Sequence, residues 1–160
     1  MCIRDSAAAI DYIATVETPV AIAVVGHSAG GHLALWNAAR TRPMPALAPT
    51  LTVGLAAVSD VIGANDNGVG RDATTNFVGG SVADFDHRYA HVQPGAAPGG
   101  RVVLVHGDAE ENVPLDQSVK AEDRLAIDRL EVIADADHFD VIDPSHHSWA
   151  ITIEELNSLI

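Results

Sequence analysis

Positive charge is scarce in this chain of 160 residues. Nine lysine and arginine residues stand against 22 aspartate and glutamate residues, which gives a formal net charge of −13. Lys120 is the sole lysine. Because binding to a phosphate backbone needs clusters of lysine and arginine, the charge argues against a nucleic-acid partner.

Cysteine and long apolar runs are missing as well. The single cysteine, Cys2, excludes an internal disulfide and leaves no thiol cluster for a metal ion. No apolar run approaches the roughly 20 residues of a membrane span, and the N-terminus lacks the basic and then apolar layout of a secretion signal. We therefore expect a cytoplasmic protein that does not bind membranes, with one domain over residues 1–160.

An apolar run at residues 20–25 leads directly into the sequence Gly-His-Ser-Ala-Gly-Gly-His at residues 26–32. This order predicts a buried strand, a tight turn and a helix start. Gly26 and Gly30 are expected to remove side chains that would collide in the turn and to leave the Ser28 hydroxyl exposed. The helix then brings free N–H groups, first that of Ala29, to the place where an anionic intermediate would form.

Apolar runs and helix-compatible segments alternate along the rest of the chain. Strands are expected at 20–25, 51–58, 101–105 and 130–134, and helices at 6–16, 30–40, 115–125 and 146–159. Strands separated by helices predict an α/β fold with a parallel sheet flanked by helices. Residues 59–100 are rich in Gly, Asp, Asn and Pro, and we predict a long, largely irregular, lid-like insertion with short helical possibilities around 82–90.

A serine hydroxyl needs a base to take its proton and an acid to orient that base. The loop after the 101–105 strand offers three candidate acids, Asp108, Glu110 and Glu111, and Asp60 is a weaker alternative. Among eight histidines, His138 is the preferred base because it follows the last predicted strand. His27 holds the variable position of the elbow, where a side chain points in a different direction from Ser28. We expect His32 to pack in the core, His106 to be structural in its turn, and His146 and His147 to begin the last helix. A metal site built on His106, Asp108 and His138 lacks tight ligand spacing.

These motifs resemble the α/β-hydrolase superfamily, in its serine esterase branch. The segment from His106-Gly107 to Val113-Pro114 resembles a loop of dienelactone hydrolases, prolyl oligopeptidases and carbohydrate esterases, and the likeness assigns the acid to Glu110, with Asp108 as the alternative. The elbow and the sequence after His138 are similar to acetyl or feruloyl xylan esterases and kynurenine formamidases. The resemblance implies a three-layer α/β/α fold, a triad of Ser28, Glu110 and His138, and no cofactor or metal.

The same resemblance implies more strands than the chain contains. A complete member has about four strands before the elbow, and a loop among them donates a second oxyanion N–H. We therefore expect the chain to be the C-terminal half of such an enzyme, with residues 1–6 a non-native leader. The expected reaction is cleavage of a small ester or amide through an acyl-enzyme, weak in this chain alone, with a homo-oligomer possible. The alternatives are a non-catalytic binding module and a fragment of a prolyl oligopeptidase-type peptidase.

Overall fold

A parallel sheet of four strands forms the centre of the computed structural model, which describes residues 3–17, 19–41, 47–97 and 99–160. The strands lie in the order β1-β2-β3-β4, and each pairs in parallel with the next. Their bounds are β1 Ala23–His27, β2 Leu51–Leu55, β3 Arg101–Gly107 and β4 Arg129–Ile133.

Helices connect the strands and cover the sheet. In the described parts of the chain they are α1 Ile3–Val16, α2 Ala29–Ala39, α3 Val61–Asp66, α4 Ala73–Val78, α5 Val82–Val92, α6 Asp116–Leu125 and α7 Trp149–Asn157. A short 3-10 helix spans Asp140–Ile142. No helix within the described residues is long and apolar enough to cross a membrane.

Alternating side chains of the strands build two separate apolar layers. On one face, Val53 and Val105 pack in a cluster with Trp149 and Ile151 of α7. On the other face, strand residues pack with α2 and α6, and this cluster comprises Leu35, Val102, Leu104, Ala121 and Leu125. The predicted α/β class is confirmed, because the sheet lies between two helical layers.

The strand and helix predictions hold in type and differ at several ends. The first strand begins at Ala23, three residues later than predicted, because pairing with β2 covers only residues 23–27, and Val20 is fully exposed. The second strand ends at Leu55 rather than at residue 58. The last helix begins at Trp149, since the His146 ring contacts the Ser148 hydroxyl in a turn before it.

The prediction that residues 59–100 are largely irregular is wrong. Three helices, α3, α4 and α5, occupy much of this segment, which we call the lid segment, and of these only α5 matches the helical stretch expected around 82–90. Asp60 caps α3, and Ser81 caps α5 by accepting a hydrogen bond from the Asp84 N–H at 3.3 Å. The helices pack beside α1 and α2 in an apolar cluster that includes the buried Tyr89.

The N-terminal segment carries one further prediction. Residues 1 and 2 lie outside the described residues, while Ile3 begins α1 and is buried. That residues 1–6 are a non-native leader stays a prediction.

Candidate active site

Ser28 lies at the turn between β1 and α2 in a backbone conformation that non-glycine residues rarely adopt. Its φ is 55° and its ψ is −119°. Two backbone hydrogen bonds fix the turn: the Ser28 N–H donates to the Leu55 carbonyl at 2.8 Å, and the His32 N–H donates to the Ser28 carbonyl at 3.1 Å. Strain of this kind persists only where the surroundings enforce it, and it is concentrated at functional sites.

Close backbone packing explains one of the two glycines of the motif. A Cβ at Gly26 would lie 2.2 Å from the Gly30 carbonyl oxygen, so no side chain fits there. A Cβ at Gly30 would meet nothing within 4 Å, and the prediction that Gly30 avoids a collision is wrong. The second tight position is Gly31, where a Cβ would lie 2.5 Å from that of Ala57.

The loops after β3 and β4 bring Glu110 and His138 together. Glu110 Oε2 lies 2.5 Å from His138 Nδ1, and the side chains are only 1% and 9% exposed. Because a carboxylate only accepts, Nδ1 carries the hydrogen, and in the neutral ring Nε2 is left as the acceptor. The N–H groups of Asn112 and Val113 donate to Glu110 Oε1 at 2.5 and 3.0 Å. The turn thus fixes the carboxylate from one side while its other oxygen holds the imidazole.

The surroundings keep Glu110 ionised. Burial alone would raise its pKa, but the hydrogen bonds from Val113 and Asn112 and the contact with His138 outweigh burial and lower it below its ordinary value of 4.5. Glu110 is therefore a carboxylate at neutral pH, which is the form that orients an imidazole.

The other candidate acids bind elsewhere. Asp108 Oδ1 accepts from the Asp135 N–H at 2.7 Å and so ties the two loops together. Asp60 accepts from the Gly63 N–H and from the Gln93 side chain in the lid segment. Glu111 is exposed at the rim of the cavity described below. The structure brings Glu110, and not these residues, to the His138 ring.

Two of the remaining histidines have structural contacts. His32 Nε2 lies 2.7 Å from the Val92 carbonyl oxygen, which fits the predicted packed histidine. His106 is fully buried between the Ser118 hydroxyl and the Val113 carbonyl, at 2.7 and 2.8 Å. In the part of the chain that the structure describes, no group of His, Cys, Asp and Glu is arranged to hold a metal ion.

A cavity of about 750 Å³ opens on Ser28. Ser28 and Ala29 form part of its wall, and His138 and Phe139 form another part. The lid segment contributes residues 67–71 together with Phe77. The rest of the wall combines apolar side chains, such as Val58, Val61 and Val113, with polar and charged ones, such as Arg71 and Glu111.

The Ser28 hydroxyl and the His138 ring share this cavity without a hydrogen bond between them. Within the described residues, Ser28 Oγ has no hydrogen-bond partner. Such contacts are often long in a site without substrate and tighten when one binds. The Ala29 N–H begins α2 beside the serine, where the first N–H groups of a helix lack partners inside the helix.

Sequence reasoning missed two parts of this site. Two of the three lid helices, α3 and α4, were not predicted, although Asp60 caps the start of α3 and Gly79 ends α4 with a φ of 100°. The contact between His27 and the His138 loop had none, because residues 111 positions apart meet only through the sheet.

Solved structures of hydrolases share this fold. An acetyl ester-xyloside bifunctional hydrolase from Caldicellulosiruptor lactoaceticus is 18% identical with a TM-score of 0.68 over 98% of this chain and 64% of its own. A truncated carbohydrate esterase from gut microbiota is 17% identical with a TM-score of 0.76, over 98% and 67%. Mouse alpha/beta hydrolase domain-containing protein 10 is 21% identical with a TM-score of 0.63, over 99% and 70%.

The fold is that of part of an α/β hydrolase. The chain spans part of the length of each protein that it matches, from 26% of a bifunctional protein from Bacteroides eggerthii to 75% of a Paleococcus ferrophilus monoacylglycerol lipase. No protein-family model and no curated protein matches the sequence. What these comparisons add to the likeness of the motifs is a likeness of fold.

Proposed function

We propose that this chain carries the catalytic triad of a serine hydrolase, with Ser28 as nucleophile, His138 as base and Glu110 as the orienting acid. The observation that carries the proposal is the 2.5 Å contact between Glu110 and His138 Nδ1, with His138 itself in the wall of a cavity that opens on the strained Ser28. In a triad of this kind the acid holds Nδ1 of the histidine, and Nε2 of the same ring takes the proton of the serine.

The proposed reaction proceeds through an acyl-enzyme. Ser28 Oγ bonds to the carbonyl carbon of the substrate while His138 Nε2 takes the hydroxyl proton. The carbonyl oxygen becomes negative and accepts a hydrogen bond from the Ala29 N–H at the start of α2. The bond to the alcohol or amine then breaks, and His138 returns the proton to that leaving group. Water, activated by His138, releases the acid in the second half of the cycle.

A small carboxylic ester or amide is the proposed substrate class. The apolar part of the cavity wall, which includes Leu33, Val58 and Val113, can receive an uncharged acyl or alcohol group. Neighbours of the same fold are named as an acetyl ester-xyloside hydrolase and a carbohydrate esterase, and their names support an ester substrate here.

Release of nitrophenolate from p-nitrophenyl acetate, measured with protein in excess over ester, tests the function. Ser28→Ala is expected to reduce the rate to that of the buffer. Glu110→Gln should lower it by about 10³- to 10⁴-fold, because an amide no longer holds the correct ring tautomer. The matched control is Asp108→Asn in the same loop, which should change the rate less than about threefold.

Three results would contradict this proposal. They are wild-type hydrolysis no faster than buffer, full activity of Ser28→Ala, and a loss in Asp108→Asn that exceeds the loss in Glu110→Gln.

A further inference from the structure

His27, the residue before the proposed nucleophile, reaches the backbone of the proposed base. Its Nε2 lies 2.8 Å from the carbonyl oxygen of His138. A carbonyl oxygen only accepts hydrogen bonds, so the His27 Nε2 carries the hydrogen and donates. The contact joins the end of β1 directly to the loop after β4, although β1 and β4 are not neighbours in the sheet.

The His27 ring also packs against that loop. Its centroid lies 4.4 Å from the centroid of the His138 ring, at an interplanar angle of 49°, and 6.2 Å from the ring of Phe139. Within the loop itself, Asp137 accepts hydrogen bonds from the N–H groups of Phe139 and Asp140, at 2.7 and 3.0 Å. The His138 backbone is thus held both by His27 and by the Asp137 turn.

We propose that His27 is a positioning residue, which fixes the His138 backbone so that the imidazole keeps its contact with Glu110 while facing the Ser28 cavity. Glu110 holds one ring atom only, and a single hydrogen bond leaves the ring free to swing about it. The His27 contact supplies the second fixed point. The kinetic consequence rests on the proposed function, whereas the effect on the His138 ring does not.

The electrostatics of the pair suit this role. Burial lowers the pKa of His27 below its ordinary value of 6.5, and the hydrogen bond to the His138 carbonyl offsets that effect only in part. His138 and Glu110 are the titratable groups that act on His27. A neutral His27 donates its hydrogen bond without placing a positive charge beside the imidazolium that His138 becomes during catalysis.

Nitrogen-15 NMR of the wild-type chain at pH 7 gives the first test. The expected result is a neutral His27 ring with its hydrogen on Nε2, and a low-field proton resonance from His138 Nδ1–H bound to Glu110. A His27 hydrogen on Nδ1 alone would overturn the proposal without any variant.

Three variants then separate positioning from general stability. His27→Gln keeps a side-chain N–H donor, whereas His27→Leu removes it. The control is Trp36→Phe, which removes a different donor: Trp36 does not line the cavity, and its Nε1 donates to the His91 carbonyl, also at 2.8 Å. The His138 resonance should persist in His27→Gln and Trp36→Phe and broaden or disappear in folded His27→Leu. If His27→Leu does not fold, His27→Asn, whose shorter amide cannot span the distance, replaces it.

The rate at which a fluorophosphonate labels Ser28 gives the kinetic readout. Loss of the donor should slow labelling by about 10- to 100-fold, the cost typical of a misplaced catalytic group, and His27→Gln should restore most of the rate. A folded donorless variant with an unchanged His138 resonance would overturn the positioning role. If wild-type Ser28 is not labelled at all, the proposed function fails, and the NMR results alone decide the role of His27.

Discussion

At the scale of single residues, the strained backbone of Ser28 depends on the atoms around it. The Ser28 N–H is held by Leu55 of the neighbouring strand, and the helix start beyond it closes against Gly26. The absence of a side chain at Gly26 is what permits this approach. Gly30, only four residues away, has open space around it.

This difference predicts opposite effects for two alanine substitutions in one motif. Gly26→Ala should lower the free energy of unfolding by about 1–3 kcal/mol, because its Cβ would overlap the Gly30 carbonyl and force the backbone to move. Gly30→Ala should raise it by about 0.5–1 kcal/mol, since alanine favours the helix and meets no neighbour. Urea denaturation measures both values. Equal destabilisation by the two variants would contradict this account of the elbow.

Residues adjacent in sequence were the easiest part of the site to predict. The Gly-x-Ser-x-Gly pattern predicts the turn at Ser28, because the apolar strand and the helix start lie directly beside it. The choice among Asp108, Glu110 and Glu111 required the resemblance, since three carboxylates share one loop. What selects Glu110 in the structure is the turn that aims the N–H groups of Asn112 and Val113 at it.

At the scale of elements, the strands of the sheet could be predicted from apolar runs, whereas most of the helical structure of the lid segment could not be predicted from composition. Several of its glycine, asparagine and aspartate residues occur at caps and turns between short helices. Asp60 and Ser81 begin two of them, and Gly79 ends a third. Counting turn-forming residues without their spacing therefore predicted an irregular loop where capped helices form.

The lid segment matters to the site because it supplies one wall of the cavity. Gln93, just after α5, holds the start of α3 by accepting from the Val61 N–H at 2.9 Å and donating to Asp60 at 2.7 Å. The lid segment is therefore held together by polar as well as apolar contacts. Such long-range contacts could not be derived from local pattern, since they join residues about 30 positions apart.

At the scale of the whole molecule, three histidines link stability to pH. Burial is the main cause that lowers the pKa values of His27, His32 and His106 below 6.5. The unfolded chain therefore binds more protons than the folded chain just below pH 6.5, and unfolding becomes easier as the pH falls. Glu110, with its lowered pKa, adds a further loss below its ordinary value of 4.5.

The free energy of unfolding should thus decline from pH 7 to pH 5 and decline further toward pH 4. His106→Gln should flatten the first part of this decline, at a cost in overall stability. His87→Gln is the control, since the His87 side chain is 73% exposed in the folded chain. Urea denaturation at each pH measures the effect. Stability that rises as the pH falls from 7 to 5 would contradict the assignment of buried, neutral histidines.

The proposed function depends on Ser28 acting as a nucleophile. The most direct measurement is to react the chain with a fluorophosphonate, in which a serine oxygen bonds to phosphorus and fluoride leaves, and to map the modified peptide by mass spectrometry. Our account predicts a single modification on Ser28, which is absent in Ser28→Ala and is slowed strongly in Glu110→Gln but not in Asp108→Asn. Modification of another serine, or none at Ser28 in the folded wild-type chain, would contradict it.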